Sequence, residues 1–464
     1  MASPEWGDPA AAADAVSVFR RPLNELPDPL PVPMLPGPFT YELRPPPSKS
    51  ITNRLFVMAA LARGESVLER PLLDAVDAKV MLEAIEYLGA EVRIDGDDAT
   101  VTGVAGTPRG GVNLYLENAG TAVRFLTAAA ALASGRVTID GSARMRERPI
   151  AGLISSLRAM RVTARFPAEY GFPPVELDPG GEQLEGGRVT LDTQASSQFI
   201  SALLMIGPWT QRGIELTLEG EITSKPYVVM TMELLRRTGA RVDATGTMRK
   251  IFVAPGAVDG FRYAVEPDAS GATYFQAAAA ITPGSSCTVR GLPPMSLQPD
   301  GRFPELLMVL GAHASRAADS VTVTAPPEDA PFRGTRFDLD WAPDGAMTLA
   351  VASAFATGVT TINGLRTLRD KECDRLRATS TELGKLGVKV TETPSSLEII
   401  GGAPMTGGPV VLDTYDDHRM AMSLALVGLR RPGVLIRDPG CVSKTYPTFW
   451  SDLAGLYESA LSGR

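Results

Sequence analysis

Histidine and cysteine are scarce in this chain, at two and three residues out of 464. So few histidines leave little basis for a histidine-built zinc or iron centre. The cysteines, Cys287, Cys373 and Cys441, are far apart and odd in number. That pattern argues for a reducing compartment and against a disulfide framework or clustered metal site. Long apolar runs are missing too: the longest, Phe125 to Ser134, is far too short to span a bilayer. An excess of positive charge is also lacking. A net charge of -8 provides no field to gather nucleic acid, and no basic stripe with interleaved aromatics is present. The front of the chain has no apolar signal core, and Glu5, Asp8, Asp14, Glu25 and Asp28 speak against a transit peptide. The expectation is a cytoplasmic protein with no membrane or nucleic-acid partner.

What the chain does have is a long repeat. A polar cluster, an alanine-rich apolar helix, a glycine and a short β-branched run recur six times, with a period of roughly 70 to 78 residues. The clusters are Ser48-Lys49-Ser50, Asn118-Ala119-Gly120-Thr121, Ser196-Ser197-Gln198, Asp268-Ala269-Ser270, Pro343-Asp344-Gly345 and Asp416-Asp417-His418-Arg419. A second helix follows in each unit. Most of these end in a related phrase, such as Leu88-Gly89-Ala90 or Thr238-Gly239-Ala240, with Met160-Arg161-Val162 as a worn version. Glycine just past a helix end is the usual left-handed cap. The unit therefore reads as strand, helix, strand, helix and two strands. Six copies split naturally into two α/β domains of three units, because single cores stop growing well short of this length. Residues 1–38 stand apart: their proline ladder, Pro27, Pro29, Pro31, Pro33, Pro36 and Pro38, predicts a loosely held extended segment.

The chemistry starts from an anomaly. Helix N-termini carry partial positive charge, which disfavours lysine and arginine there by about 0.3–1 kcal/mol each. This chain places them there repeatedly: Lys49 and Arg54, Arg124, the trio Arg144, Arg146 and Arg148, then Lys225, Lys371 and Arg375, Arg419 and Lys444. As a recurring set they predict bound phosphate or carboxylate groups. Ser50, Thr121, Ser196, Ser197 and Ser224 suit helix capping equally well. Two carboxylates stand among the cations. Asp344 and Glu372 are candidates for general base and general acid, against a plainer reading as cap and ion-pair partner. His418, between Asp417 and Arg419 at a helix start, is a capping or packing residue by default and a functional one by its neighbours.

At these residues the chain resembles a known family, the 3-phosphoshikimate 1-carboxyvinyltransferases or EPSP synthases. The resemblance runs from about Leu43 to the C-terminus. Its motifs are Pro-Ser-Lys-Ser-Ile-Thr-Asn-Arg (47–54), Asn-Ala-Gly-Thr-Ala-Val-Arg (118–124), Arg-Met-Arg-Glu-Arg-Pro-Ile (144–150), Ser-Ser-Gln-Phe-Ile-Ser-Ala-Leu-Leu (196–204), Ser-Lys-Pro-Tyr (224–227), Lys-Glu-Cys-Asp-Arg (371–375), Asp-His-Arg-Met-Ala-Met (417–422) and Lys-Thr-Tyr-Pro (444–447).

The resemblance implies an inside-out α/β barrel fold of two domains, each of three βαβαββ units, with helix N-termini facing an interdomain cleft. The first domain, 48–266, would take 3-phosphoshikimate, and the second, 39–47 plus 267–464, would carry the acid and base. The implied reaction moves the enolpyruvyl group of phosphoenolpyruvate to the 5-hydroxyl of 3-phosphoshikimate, with no metal or other cofactor and, by analogy, in a monomer. Ser50, Arg54, Ser196, Ser197, Ser224, Tyr227 and Lys371 would hold 3-phosphoshikimate. Lys49, Gly120, Arg124, Arg375, Arg419 and Lys444 would hold phosphoenolpyruvate, with Gln198 between the two ligands. Asp344 and Glu372 would be base and acid, and Lys49, His418 and Lys444 would complete the catalytic set.

Several positions depart from the family pattern. Pro47 and Glu117 replace glycines, Phe125 a proline, Asp416 an asparagine, Leu368 a common Trp and Cys373 a common Thr. Glu117 and Phe125 flank the phosphoenolpyruvate loop, so they bear on affinity for that substrate and for the herbicide glyphosate that competes with it. The sister family acting on UDP-N-acetylglucosamine is the nearest alternative, but it typically carries a loop cysteine, and no cysteine precedes Cys287 here. A binding module related to RNA 3'-phosphate cyclases is disfavoured by the acidic balance.

Overall fold

Three alanine-rich helices in each half of the chain have no polar face, and a helix that is apolar all round must be buried. The computed structural model describes residues 5–463 apart from 193–195, 328–329, 331, 404 and 406. The chain divides into two units, Met1–Pro46 with Glu266–Arg464, and Pro47–Val265. In the first, every residue of the helices Ala269–Ile281, Ala346–Ala354 and His418–Gly428 is buried. These three pack against one another, and each lies on the sheet of its own repeat. Their small side chains allow close approach, and three hydroxyls record the repeat directly. Thr273 Oγ1 lies 3.3 Å from Thr348 Oγ1, which lies 3.2 Å from Ser423 Oγ, each step spanning 75 residues. In the unit Pro47–Val265 the helix Gly120–Ala130 packs against both Lys49–Leu61 and Ser197–Ile206, and the bodies of all three are buried.

The strands follow one rule. In the middle repeat of Pro47–Val265, Val112–Tyr115 runs parallel to Val137–Asp140. The latter pairs antiparallel with Val175–Asp178, which pairs antiparallel with Thr163–Arg165. That is the expected βαβαββ unit, and five sheets among the described residues have this four-stranded order. The leading strand of the first repeat in each unit is supplied from outside that repeat. Arg262–Ala264 pairs with Arg63–Glu69, and Thr40–Leu43 pairs with Ser286–Arg290, both parallel. The sixth sheet differs. Val410–Leu412 lies parallel to Val434–Ile436 and the second helix, Phe449–Ser462, follows as in the other repeats, but this sheet holds no hairpin strands among the described residues. Leu30–Val32 fills the vacant edge, antiparallel to Val434–Ile436.

Residues 1–38 were expected to form a loose extended segment, and the structure corrects that. Asp8 caps a helix, Pro9–Phe19, by accepting from the Ala10 N–H, and Pro9 takes the first helical position, where a missing N–H costs nothing. Ala12, Ala15 and Phe19 are buried against Phe449–Ser462. The proline ladder begins only after this helix, and its Leu30 and Val32 side chains enter the core. An amphipathic Ala12/Ala15/Phe19 stripe at helical spacing, ahead of the prolines, sets the structure of this stretch.

The worn repeat phrase also has a structural form. Gly239 takes φ +101° after its helix, and the corresponding Arg161 is held at φ +69° with no glycine to ease it. No helix among the described residues is long and apolar enough to cross a membrane.

Phe19→Ala is expected to lower unfolding free energy by about 3 kcal/mol or more, as for other buried aromatics. Denaturant titration of the full chain reads this, and a loss below about 0.5 kcal/mol would return the segment to the status of a loose tail.

Candidate functional site

Most candidate residues gather at the starts of the buried helices. In Pro47–Val265 the helix Lys49–Leu61 is capped by Ser48, not Ser50: Ser48 Oγ accepts from the Ile51 N–H. Lys49 Nζ lies 3.0 Å from Asp77 Oδ2. Arg54 is the sixth helical residue, beyond the first turn, and is 2% exposed. Its Nε donates to Thr231 Oγ1 at 2.7 Å and its Nη1 to the Ser50 carbonyl at 2.8 Å. Nη2 reaches Ser201 Oγ at 3.5 Å and the Tyr227 carbonyl at 3.4 Å. The guanidinium lies over the Phe125 ring at 5.1 Å and near the Tyr227 ring at 6.0 Å. Every partner is neutral. Burial lowers the Arg54 pKa to about 10, so the group stays charged at neutral pH.

The departure at Phe125 thus supplies an aromatic platform for a buried cation. Glu117, the other departure, takes a left-handed backbone with φ +49°.

Gly120 opens its helix beside Arg148, and a Cβ there would stand 2.4 Å from Arg148 Nη2. Arg148, named above only as one of a basic trio, is buried and donates to Asn118 Oδ1 at 2.9 Å. Its companions Arg144 and Arg146 pair locally with Glu147 and Asp140. Arg124 is also buried, with Nη2 on the Pro149 carbonyl at 2.9 Å and Nη1 facing Met145 Sδ. Ser196 is a true cap, accepting from the Gln198 N–H at 3.2 Å, and Ser197 is buried behind it. Thr121 lies within its helix, and Ser224 occupies a left-handed backbone position with no side-chain cap.

In the other unit one guanidinium organises the helix starts. Arg375, 1% exposed, begins the helix Arg375–Lys385. Its Nε lies 2.7 Å from Asp417 Oδ2 and its Nη2 lies 3.2 Å from Asp417 Oδ1. Nη2 also meets Glu372 Oε2 at 2.8 Å, and Nη1 meets Asp344 Oδ1 at 3.1 Å. Arg419 approaches the other Asp344 oxygen at 3.1 Å and the Tyr274 hydroxyl at 3.4 Å, while Lys371 Nζ lies 3.8 Å from Asp344. Burial works against ionisation of Asp344, but Arg419, Lys371 and Arg375 outweigh it and hold the carboxyl far below the usual carboxylate range. Burial likewise opposes charge on Arg375, and Asp417, Glu372 and Asp344 overcome it.

Asp417 was absent from the sequence-derived set, yet it caps the helix of Arg419 and grips Arg375 with both oxygens. Its position, an Asp immediately before a buried helix, was the available signal. His418 is wholly buried, with Nδ1 3.6 Å from Asp417 Oδ1. Lys444 ends the turn Pro439–Lys444, half-buried and close enough to Asp416 to act on its charge. Asp344, Lys371, Glu372, Arg375 and Arg419 thus form one cluster. Ser50, Arg54 and Tyr227 meet in the other unit.

Two α/β units of repeated βαβαββ form, with carboxylates and cations at buried helix starts, define a protein of the enolpyruvyl transferase class. The sequence pattern of EPSP synthase (3-phosphoshikimate 1-carboxyvinyltransferase) matches residues 35–453, and the chain belongs to that family. A 3-phosphoshikimate 1-carboxyvinyltransferase of Cupriavidus necator is 41% identical over 434 residues, covering 90% of this chain and 98% of its own. One from Paraburkholderia phytofirmans is 40% identical with the same coverage. Among solved structures, an Acinetobacter baumannii EPSP synthase superposes with a TM-score of 0.74 at 26% identity, covering 91% of this chain and 98% of its own. The enolpyruvyl transferase NikO of Streptomyces tendae shares the fold, at a TM-score of 0.68 and 20% identity, over 90% of this chain and 95% of its own.

Asp300 adds a buried carboxyl to the cluster. It accepts from the Ser270 hydroxyl, and its other oxygen has no hydrogen-bond partner. Burial, and then the charge of Asp344, push it up to about 7. Unfolded, it ionises near about 3.9. Between about pH 4 and about pH 7 the folded protein therefore keeps a proton that the unfolded chain has lost, and this group makes stability fall as pH rises. Relative to the parent, Asp300→Asn should gain in melting temperature on going from about pH 5 to about pH 8. An offset between parent and variant that is equal at both pH values would show that Asp300 does not titrate in this range.

Proposed function

We propose that the protein transfers the enolpyruvyl group of phosphoenolpyruvate to the 5-hydroxyl of 3-phosphoshikimate and releases phosphate, in the shikimate pathway of aromatic amino acid biosynthesis. The observation that carries this is the Asp344–Arg375–Glu372 cluster with Arg419 and Lys371 around it, in a chain of this family. The same reading takes the protein as a cytoplasmic monomer.

The chemistry is addition followed by elimination. A proton is added to the methylene carbon while the 5-oxygen bonds to the adjacent carbon and loses its own proton. From the tetrahedral intermediate, the carbon–oxygen bond to phosphate then breaks as a methyl proton leaves. Such a reaction needs an acid on one side, a base on the other and fixed positive charge around carboxylate and phosphate. Asp344 is the base, Glu372 the acid, and Lys371, Arg375, Arg419, Lys444, Lys49 and Arg124 supply the charge. Ser50, Ser196, Ser197, Ser224 and Tyr227 hold 3-phosphoshikimate, with Gln198 placed between the ligands.

The ion pairs of the cluster fit this role. A carboxylate held by three cations is a weak base. Anionic substrates that engage Lys371, Arg375 and Arg419 weaken that hold and make Asp344 a better proton acceptor. One guanidinium, Arg375, meets both Asp344 and Glu372, so a substrate carboxylate that engages Arg375 acts on base and acid together. Arg54, charged and lacking a carboxylate partner among the described residues, adds positive potential beneath the 3-phosphoshikimate residues.

Phosphate release from phosphoenolpyruvate should require 3-phosphoshikimate and should fail with UDP-N-acetylglucosamine as acceptor. Release with the nucleotide sugar alone would overturn the reading. Asp344→Asn and Glu372→Gln should each lower turnover at least roughly a hundredfold without loss of fold. Near-normal turnover in either would remove that residue from its role.

A further inference from the structure

The residues ahead of the family match, which begins at 35, surround the turn that carries Lys444. Before the turn, Leu30–Val32 pairs with Val434–Ile436 in the register Leu30 to Ile436 and Val32 to Val434. Val32 also packs against Gly428, the last residue of the Arg419 helix. At the entry to the turn, Asp438 is held in a left-handed conformation, φ +46°, and donates its N–H to Asp28 Oδ1 at 2.9 Å. Leu23–Glu25 lies against the turn Pro439–Lys444 itself. Beyond the turn, Phe19 meets the rings of Trp450 and Tyr457 at 5.5 and 5.7 Å, and Arg20 grips Glu458 with two bonds of 2.7 Å. The Tyr457 hydroxyl donates to the Pro33 carbonyl, and Trp450 Nε1 ties the far helix back to the Pro439 carbonyl at 2.9 Å.

We propose that residues 6–33 form a positioning strap for Lys444, clasping the strand before its turn, the Asp438 entry and the helix after it, and so fixing the ammonium for phosphoenolpyruvate. An ion-pairing ammonium on a flexible four-carbon stem contributes only as far as its backbone is held. The left-handed Asp438 persists only where its surroundings over-determine it. Asp28 is the strap residue that touches that point. The strap acts through Lys444 and does not touch substrate.

The inference rests on the reading of Lys444 as a phosphoenolpyruvate ligand, so the test carries Lys444→Ala beside Asp28→Ala and the double variant, all in the full chain. Asp28→Ala should raise the KM for phosphoenolpyruvate by about threefold or more, a coupling expected of neighbours, with the KM for 3-phosphoshikimate unchanged. In the Lys444→Ala background the same substitution should have no further effect on that KM. A purely structural role for Asp28 predicts equal fold-changes in both backgrounds, or a lower melting temperature with both KM values unchanged. Either result overturns the strap. If Lys444→Ala itself leaves the phosphoenolpyruvate KM unaltered, the assignment of Lys444 falls and the strap with it. A chain in which Lys444→Ala weakens phosphoenolpyruvate but Asp28→Ala does not refutes the strap alone.

Discussion

Helices with no polar face have to be enclosed, and in each unit three of them pack together beneath their sheets. That constraint decides where chemistry can sit. The helix bodies are mostly alanine and larger apolar side chains, with a few buried polar groups such as the neighbouring hydroxyls of Thr273, Thr348 and Ser423. Charge gathers at the helix starts, with Arg54 a turn further in, and helices that touch bring their starts together. Arg375, Asp344 and Asp417 come from three segments, and Arg419 and Tyr274 from two inner helices, yet all meet within hydrogen-bonding distance.

The two units solve the problem of buried charge differently. In one, Arg375 and Arg419 are neutralised by carboxylates of the protein, and removing either side of such a buried pair leaves an uncompensated charge. In the other, Arg54 is satisfied by hydroxyls, carbonyls and aromatic faces alone. Electrostatically, the first arrangement is a set of ion pairs that an anion can exchange into, and the second is a standing positive potential. Under the proposed function, the first would do the acid–base work, because substrate binding would change the field on its carboxyls, and the second would hold a phosphate.

Much of this was legible in the chain. The period of the repeat, the apolar helices, the βαβαββ order and the residue types at the helix starts follow from local pattern. The misreadings have local causes as well. Ser48 and Ser50 are both plausible caps, and only backbone geometry shows that Ser48 accepts from Ile51. Arg54 looks like part of a helix start, yet it lies a turn further in, where its side chain is buried. The helix Pro9–Phe19 is marked in the sequence only by a three-residue apolar stripe, a weaker local pattern than the proline ladder that follows it.

By itself the sequence determined the repeat, the two-unit α/β architecture and the inventory of acids, bases and cations, because each of these is written within a window of neighbouring residues. Tertiary structure decided the pairings. Asp417 joins Arg375 across 42 residues, Thr231 joins Arg54 across 177, and Asp438 meets Asp28 across 410. Local propensity carries no information about such distances. They are set by how three buried helices pack, and that packing decided which carboxylate answers which cation and gave the front of the chain a place in the fold.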